Sequence, residues 1–236
     1  MVTEFRQIEQ PAELTGMQAE LESYLRVLCQ RAKEWGASDA VAMSVTDIVV
    51  DERTRLKCLV PLCPSYGKNL TCPPHVMSVS EFKNILKNYH GAILVKVDVA
   101  LPEPSEQLAK QNDLPEVWKM AESVRKGTNK ASALATEYLH ALRDAQEKLN
   151  AIVSHIESAG IAQGYPFVAG LGAGSCQLCD ECVAAGSGLP CRHPFRARPS
   201  MEALGINVVA TATNAGIPLN FVPNGRKSWL GLILVD

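Results

Sequence analysis

Seven of the eight cysteines in this chain fall in two short stretches, and these constrain the fold more than any apolar run does. The first stretch, CLVPLCPSYGKNLTCPPH, carries Cys58, Cys63 and Cys72. The second, CQLCDECVAAGSGLPCRHP, carries Cys176, Cys179, Cys182 and Cys191. Proline and glycine are frequent in both, which rules out long helices or central strands there. The fold must therefore present two loops, and the spacing of three cysteines at two-residue intervals with a fourth beyond is a metal-ligand signal.

The remaining sequence can build a frame for such loops. A chain of 236 residues, 47% of them hydrophobic, buries a core large enough to do without disulfide staples. The net charge of −2 argues against binding to nucleic acid or a membrane surface through bulk charge. The start, MVTEFRQIEQ, has no basic stretch followed by an apolar one, and the longest strongly apolar run, near Trp229–Val235, is too short to span a bilayer. We therefore expect a cytoplasmic protein in a reducing compartment, where clustered cysteines signal metal or redox chemistry more often than disulfides.

Periodicity outlines the frame. Leu14, Met17, Leu21, Leu25, Leu28, Ala32 and Trp35 recur at steps of three and four, predicting a helix over residues 13–35 that stops at Gly36. Residues 39–50 (DAVAMSVTDIVV) and Ala92–Val99 read as strands. Between them, Ser78 and Glu81 have capping-box spacing ahead of an apolar face of Val79, Phe82, Ile85, Leu86 and Tyr89. Prolines interrupt residues 102–128, which suggests an excursion with one short helix. A long helix follows over residues 130–159, with a stripe from Leu134 to Ile156, charge pairs Arg143/Glu147 and Asp144/Lys148, and Gly160 as its cap. Further strands are predicted near Tyr165–Ala169, at Asn207–Thr213 and at Trp229–Val235, with a short helix beginning near Pro199. The alternation predicts an α/β (or α+β) protein, a single domain over residues 1–236. A mixed sheet of about five strands would be packed by helices and carry two Cys-rich metal loops.

The second cysteine group follows a glycine-rich approach, GLGAGS, which can aim several amide N–H groups at sulfides and thiolates. Its C-x2-C-x2-C spacing resembles the start of the bacterial ferredoxin run. The longer gap to Cys191, followed by Arg-His-Pro, departs from that motif. Zinc is the competing occupant, but structural zinc sites favour two separated C-x2-C pairs. The first group offers three thiolates, which leaves three alternatives open. Either Cys29, His75 or Cys191 supplies a fourth ligand, or one iron stays open to a substrate, or the two groups share one larger site. Cys29 sits among Leu25 and Leu28 of a helix face, where the bland reading is a small buried hydrophobe. His75 reads as a hydrogen-bonded or exposed loop histidine.

Arg53, Arg55 and Lys57 flank the first group, and Arg192, Arg196 and Arg198 follow the second. Either set could stabilise an anionic cluster, hold an anionic substrate or simply be solvated. The string Gly170-Leu-Gly172-Ala-Gly174 opens a cysteine loop and not a helix, which rules against a dinucleotide fingerprint.

The segments RLKCLVPLCPSYGKNLTCPP and GSCQLCDECVAAGSGLPCRHPFRARPSMEALGINV resemble a prokaryotic, Cys-rich family of predicted metal-binding proteins that is frequent in anaerobes. The resemblance covers most of the chain. It implies a metal, iron–sulfur in type, held by Cys58, Cys63, Cys72, Cys176, Cys179, Cys182 and Cys191, and it implies no settled reaction. Three functions are consistent with these residues. The first is an electron-transfer or redox accessory protein holding two [4Fe–4S] clusters and serving a redox partner protein. The second is an enzyme whose three-cysteine cluster keeps an open iron for an anionic small-molecule substrate. The third is a structural zinc module.

Overall fold

The computed structural model describes residues 12–101, 107, 130–183, 186–217, 219 and 227–236. The expected excursion at residues 102–128 lies almost wholly outside the described residues, as do the side chains of Leu14 and Met17. The elements are α1 (Ala12–Glu34), β1 (Asp39–Met43), the one-turn α2 (Leu56–Leu59), α3 (Val79–Leu86), β2 (Gly91–Asp98), α4 (Lys130–Gln163), β3 (Ala169–Leu171), α5 (Val208–Asn214) and β4 (Ser228–Val235). Short 3-10 turns stand at Val45–Asp47, Glu52–Arg55 and Glu202–Leu204.

The sheet has the order β1-β2-β4-β3, and each of its ladders is antiparallel. Among the described residues it thus has four strands where the sequence suggested about five in a mixed sheet. The parallel element is a single bridge, Gly172 to Ser200. Alternation along the central strands sends side chains to two cores. Ile93, Val95, Val97, Ile233 and Val235 face α1 and α4, where they meet Leu25, Leu28, Leu149, Ile152 and Ile156. Ala92, Leu94, Leu230, Leu232 and Leu234 face the opposite side, where they meet Phe82, Leu86, Met201, Leu204 and Ile206.

The capping box of α3 forms as the spacing predicts: Glu81 N donates to Ser78 Oγ (3.2 Å) and Ser78 N donates to Glu81 Oε2 (2.7 Å). Ile85 is exposed, so the buried face of α3 is Val79, Phe82 and Leu86. On α4 the Arg143–Glu147 pair forms at 2.9 Å. Among the described residues no ion pair joins Asp144 to Lys148, whose side chain lies over Gly36. Gly160 is not the cap of α4, which continues to Gln163 and ends before Gly164 at φ +106°. A Cβ on Gly160 would stand 2.7 Å from Val168 Cγ2, so that glycine serves a close approach.

Two predicted strands are different in the fold. Residues 39–50 extend only to Met43, because Ser44 accepts a hydrogen bond from Thr46 N and caps a 3-10 turn. Residues 207–213 are helical: Asn207 Oδ1 accepts from Ala210 N at 3.2 Å and Gly216, at φ +72°, follows the far end. Their β-branched residues suggested a strand, but an N-cap and a left-handed glycine bracket a helix more strongly than alternation does. The remaining short strand is displaced from 165–169 to Ala169–Leu171, and the short helix near Pro199 is the turn at Glu202–Leu204.

Candidate metal centre

Both cysteine loops leave the sheet on the same side, and a short backbone pairing explains why. Val50 bridges Ile206 antiparallel, Asp51 N donates to Gly205 O (2.8 Å), and Asn207 N donates to Val49 O (2.7 Å). The run into the first loop is thereby laid against the run out of the second. Arg55 adds a clamp: its Nε and Nη2 donate to Ala203 O (2.9 and 2.6 Å) and Nη2 also to Met77 O (2.7 Å).

In the first loop, Cys58 lies on α2, half-buried. Cys63 N donates to Cys58 O (3.0 Å), closing a tight turn between these two cysteines. Cys72 is buried and its N–H donates to Asn69 O (3.0 Å). Gly67, at φ +69°, donates to Pro73 O (2.9 Å), folding the loop back on its exit. Burial pushes the Cys72 thiol up to about 11, and Cys63 and Cys58 push in the same direction. Cys176 of the other loop contributes too, so the two groups lie within electrostatic range of each other. Burial and then Cys63 raise Cys58, opposed by Arg55 and assisted by Glu202.

The second loop starts from β3. Gln146 of α4, buried, donates from Nε2 to Ala173 O (2.6 Å) and Ser175 O (2.8 Å), fixing the approach to Cys176. Cys176, Cys179, Cys182 and Cys191 are all half-buried. Burial raises the Cys176 thiol; a hydrogen bond from the Leu178 backbone opposes this, and Cys191, Cys179 and Cys182 add to it. His193 N donates to Cys191 Sγ at 3.3 Å, and Arg192 Nη1 donates to Glu181 O at 2.8 Å, tying the loop's two ends. Arg198 returns to α4 and pairs with Glu157, which also accepts from Gly170 N (2.6 Å).

The flanking arginines are thus largely structural. Arg53 pairs with Asp51, Arg55 holds Ala203 and Met77, Arg192 holds Glu181, and Arg198 holds Glu157. His75 is exposed, with Nε2 3.2 Å from Gly67 O. Cys29 lies in the core beneath α1 and α4, apart from both loops. Gln146 and Glu157 were not singled out from the sequence. No local motif marks them, since each matters through a partner distant along the chain.

None of the eight cysteines is in a disulfide. Among the described residues no three His, Cys, Asp or Glu side chains are gathered as a ready metal site. The donor set nevertheless suits a thiophilic metal. Each loop groups soft sulfur donors whose thiolates repel one another and are partly desolvated, a charge that a bound cation would neutralise. Gripping a metal would draw each loop inwards, making binding and local ordering one event.

The family model described as "predicted metal-binding protein (DUF2284)" matches residues 41–235, a span that takes in both cysteine groups. The chain belongs to the DUF2284 family. No curated protein and no solved structure matches it. The family description specifies metal binding and neither a particular metal nor a reaction. Among the described residues no helix is long and apolar enough to cross a membrane.

Cys29 provides the internal control for this DUF2284 protein. Burial, more than Lys33 or Asp39 nearby, pushes its thiol from 9.0 to about 11. A raised thiol pKa stabilises the fold below pH 9, and that contribution is lost as pH climbs from 9 towards 11. At pH 8 we expect a thiol-alkylating reagent to spare Cys29, and the equally buried Cys72, in the folded protein while modifying the half-buried loop cysteines when no metal is bound, as mass spectrometry would record. Cys29→Ala should leave the metal count unchanged; loss of metal would place Cys29 among the ligands.

Proposed function

We propose that this protein is an iron–sulfur protein carrying two [4Fe–4S] clusters and passing electrons to a partner protein. The first cluster would be held by Cys58, Cys63 and Cys72, the second by Cys176, Cys179, Cys182 and Cys191. The observation that supports this reading is that seven cysteines, none in a disulfide, fall on two loops near enough for Cys176 to act on Cys72. A [4Fe–4S] cluster, when bound, takes up and releases single electrons. The chain's own residues would set where and how readily this occurs. Backbone N–H groups at Leu178 and His193 already donate to thiol sulfur, the kind of contact that stabilises a reduced cluster.

A partner protein is supported by the surface around the loops. Val60 and Leu62, 74% and 66% exposed, flank the first group, and Phe195, 92% exposed, follows the second. Exposed apolar side chains on loops that would hold a redox centre suit a transient protein contact.

A second reading draws on a pocket of ≈ 290 Å³ beside the first group, lined by Arg55, Cys58, Leu59, Tyr66, Pro73, Pro74, Val76 and Ser78. It would suit a small substrate bound beside an open iron. Arg55 could attract an anionic group there, although its hydrogen bonds already go to two carbonyls.

The deciding experiment is purification and reconstitution without oxygen, with counting of metal and sulfide. The expected result is brown protein with about eight irons and eight sulfides per chain. About four of each would reduce the proposal to one cluster. Colourless protein containing zinc and no sulfide would replace it with the structural zinc reading.

A further inference from the structure

We infer that the first cysteine loop is the docking face for an acidic one-electron carrier protein, which would meet Leu56, Leu59, Val60 and Leu62 inside a rim of Arg55, Lys57 and Lys68. The inference rests on the electron-transfer reading and names the kind of partner which that reading requires.

Charge sets this loop apart. The chain as a whole has a net charge of −2. From residue 53 to residue 80 it carries Arg53, Arg55, Lys57 and Lys68 and no Asp or Glu. Asp51 neutralises Arg53. Arg55 donates to carbonyls, which leave its charge in place. Lys57 and Lys68 are exposed and make no ion pair among the described residues. Glu52, at the entry to the loop, offsets these three charges only in part. The second loop has no such excess: Asp180 and Glu181 stand against Arg192 and Arg196, all of them exposed.

The same loop displays its apolar side chains. Leu56 and Leu59, 55% and 45% exposed, lie one turn apart on α2, and the still more exposed Val60 and Leu62 follow. A recess of ≈ 290 Å³ adjoins them, with Cys58 and Leu59 on its wall beside Tyr66, Pro73 and Pro74. That volume is at the foot of the range for small-molecule sites and has room for one anchoring side chain of a partner. The loop is also held in place. The Val50–Ile206 bridge and the Arg55 clamp fix its entry, and the bond from Gly67 N to Pro73 O ties it to its exit. Docking would therefore cost little in lost conformational freedom.

An aliphatic centre within a cationic rim is complementary to an acidic protein surface. Lipid and nucleic acid fit less well. Among the exposed side chains of residues 53–78 there is no Phe, Tyr or Trp, so both interfacial anchors and base-stacking rings are missing. On docking, the partner's oxidised centre would gain the one electron that a bound cluster loses, with no bond made or broken.

The test measures binding of the reconstituted protein to a small acidic [2Fe–2S] ferredoxin, with a basic c-type cytochrome as the control of opposite charge. The ferredoxin should bind at about 50 mM salt and about tenfold more weakly at about 300 mM, and the cytochrome should not bind. Lys57→Glu combined with Lys68→Glu should weaken binding about tenfold or more, and Val60→Ser combined with Leu62→Ser about fivefold or more. Arg26→Glu combined with Arg31→Glu makes the same change of net charge on α1, across the sheet from Val50 and Val76 at the two ends of the loop. That pair should alter affinity less than about twofold. All three double variants should keep the iron count and melting temperature of wild type. Equal weakening by the α1 pair would reduce the attraction to bulk charge and overturn the inference. So would ferredoxin binding indifferent to both loop pairs, no ferredoxin binding, or a preference for the cytochrome. Loop-dependent binding to vesicles of phosphatidylcholine and phosphatidylserine, without ferredoxin binding, would give the face to a membrane. A wild-type dimer dissociated by Val60→Ser with Leu62→Ser would give it to a second copy of the chain. The iron–sulfur reading survives each of these, because it is judged by iron and sulfide content, whereas wild type that takes up no iron removes both.

Discussion

Cys179→Ala protein reconstituted without oxygen is expected to bind about half the iron of wild type, about four atoms in place of eight. Cys179 is the middle member of the second group and one of the thiols whose charge acts on Cys176. Removing it takes the middle thiolate out of the C-x2-C-x2-C run that would wrap one cluster, and neither Cys72, in the first group, nor Cys29, in the core, replaces it there. The loss should also appear as stability. A metal present at a hundred times its dissociation constant stabilises the folded state by about 2.7 kcal/mol. For a chain of this length that corresponds to roughly 5–10 °C in melting temperature. Iron analysis and melting of the loaded proteins check both parts. Metal-free wild type and Cys179→Ala should melt together, since the thiol is half-buried and its contacts are made with the metal. A full iron count in Cys179→Ala would remove the second group from the site.

The second large effect concerns the frame. Glu157 on α4 accepts from Gly170 N (2.6 Å) and pairs with Arg198, whose side chain is only 9% exposed. One carboxylate thus joins the long helix, the start of the second loop and the segment that leaves it. Glu157→Ala strands a buried guanidinium whose Nε already has no partner, a class of change that costs about 3 kcal/mol or more. We expect the melting temperature to fall by roughly 10 °C with or without metal. Glu157→Leu combined with Arg198→Met should recover most of that fall, because the pair's charges then leave together. A Glu157→Ala protein as stable as wild type would reduce the pair to a surface contact.

These two positions mark how far the sequence could be read. Cys179 stands out in the sequence because its spacing is itself a metal-ligand signal. The helices α1, α3 and α4 and the strands β2 and β4 are legible because each has a sustained period of burial. Glu157 and Gln146 are not legible, because their importance comes from partners between 13 and 41 residues away, as with Gly170 and Arg198 for Glu157 and Ser175 for Gln146. The strand predicted at Asn207–Thr213 fails for a related reason. Val208, Val209, Thr211 and Thr213 favour extended backbone locally, but Thr211 is fully buried and its Oγ1 accepts from Val49 N (3.1 Å), a contact available only to the helix packed there. The antiparallel sheet was hidden because helices separate strands in the sequence without acting as parallel crossovers.

The pairing of residues 49–51 with 205–207 has a consequence for how the protein matures. The cores on both sides of the sheet, and this backbone tie between them and the loops, contain none of the seven grouped cysteines apart from Cys72 at the margin. The scaffold can therefore be completed, once β4 is free to pair, while both sulfur-bearing hands stay open. Inorganic cargo would be handed to a finished receptacle, and a molecule stripped by oxygen could be refilled without being unmade.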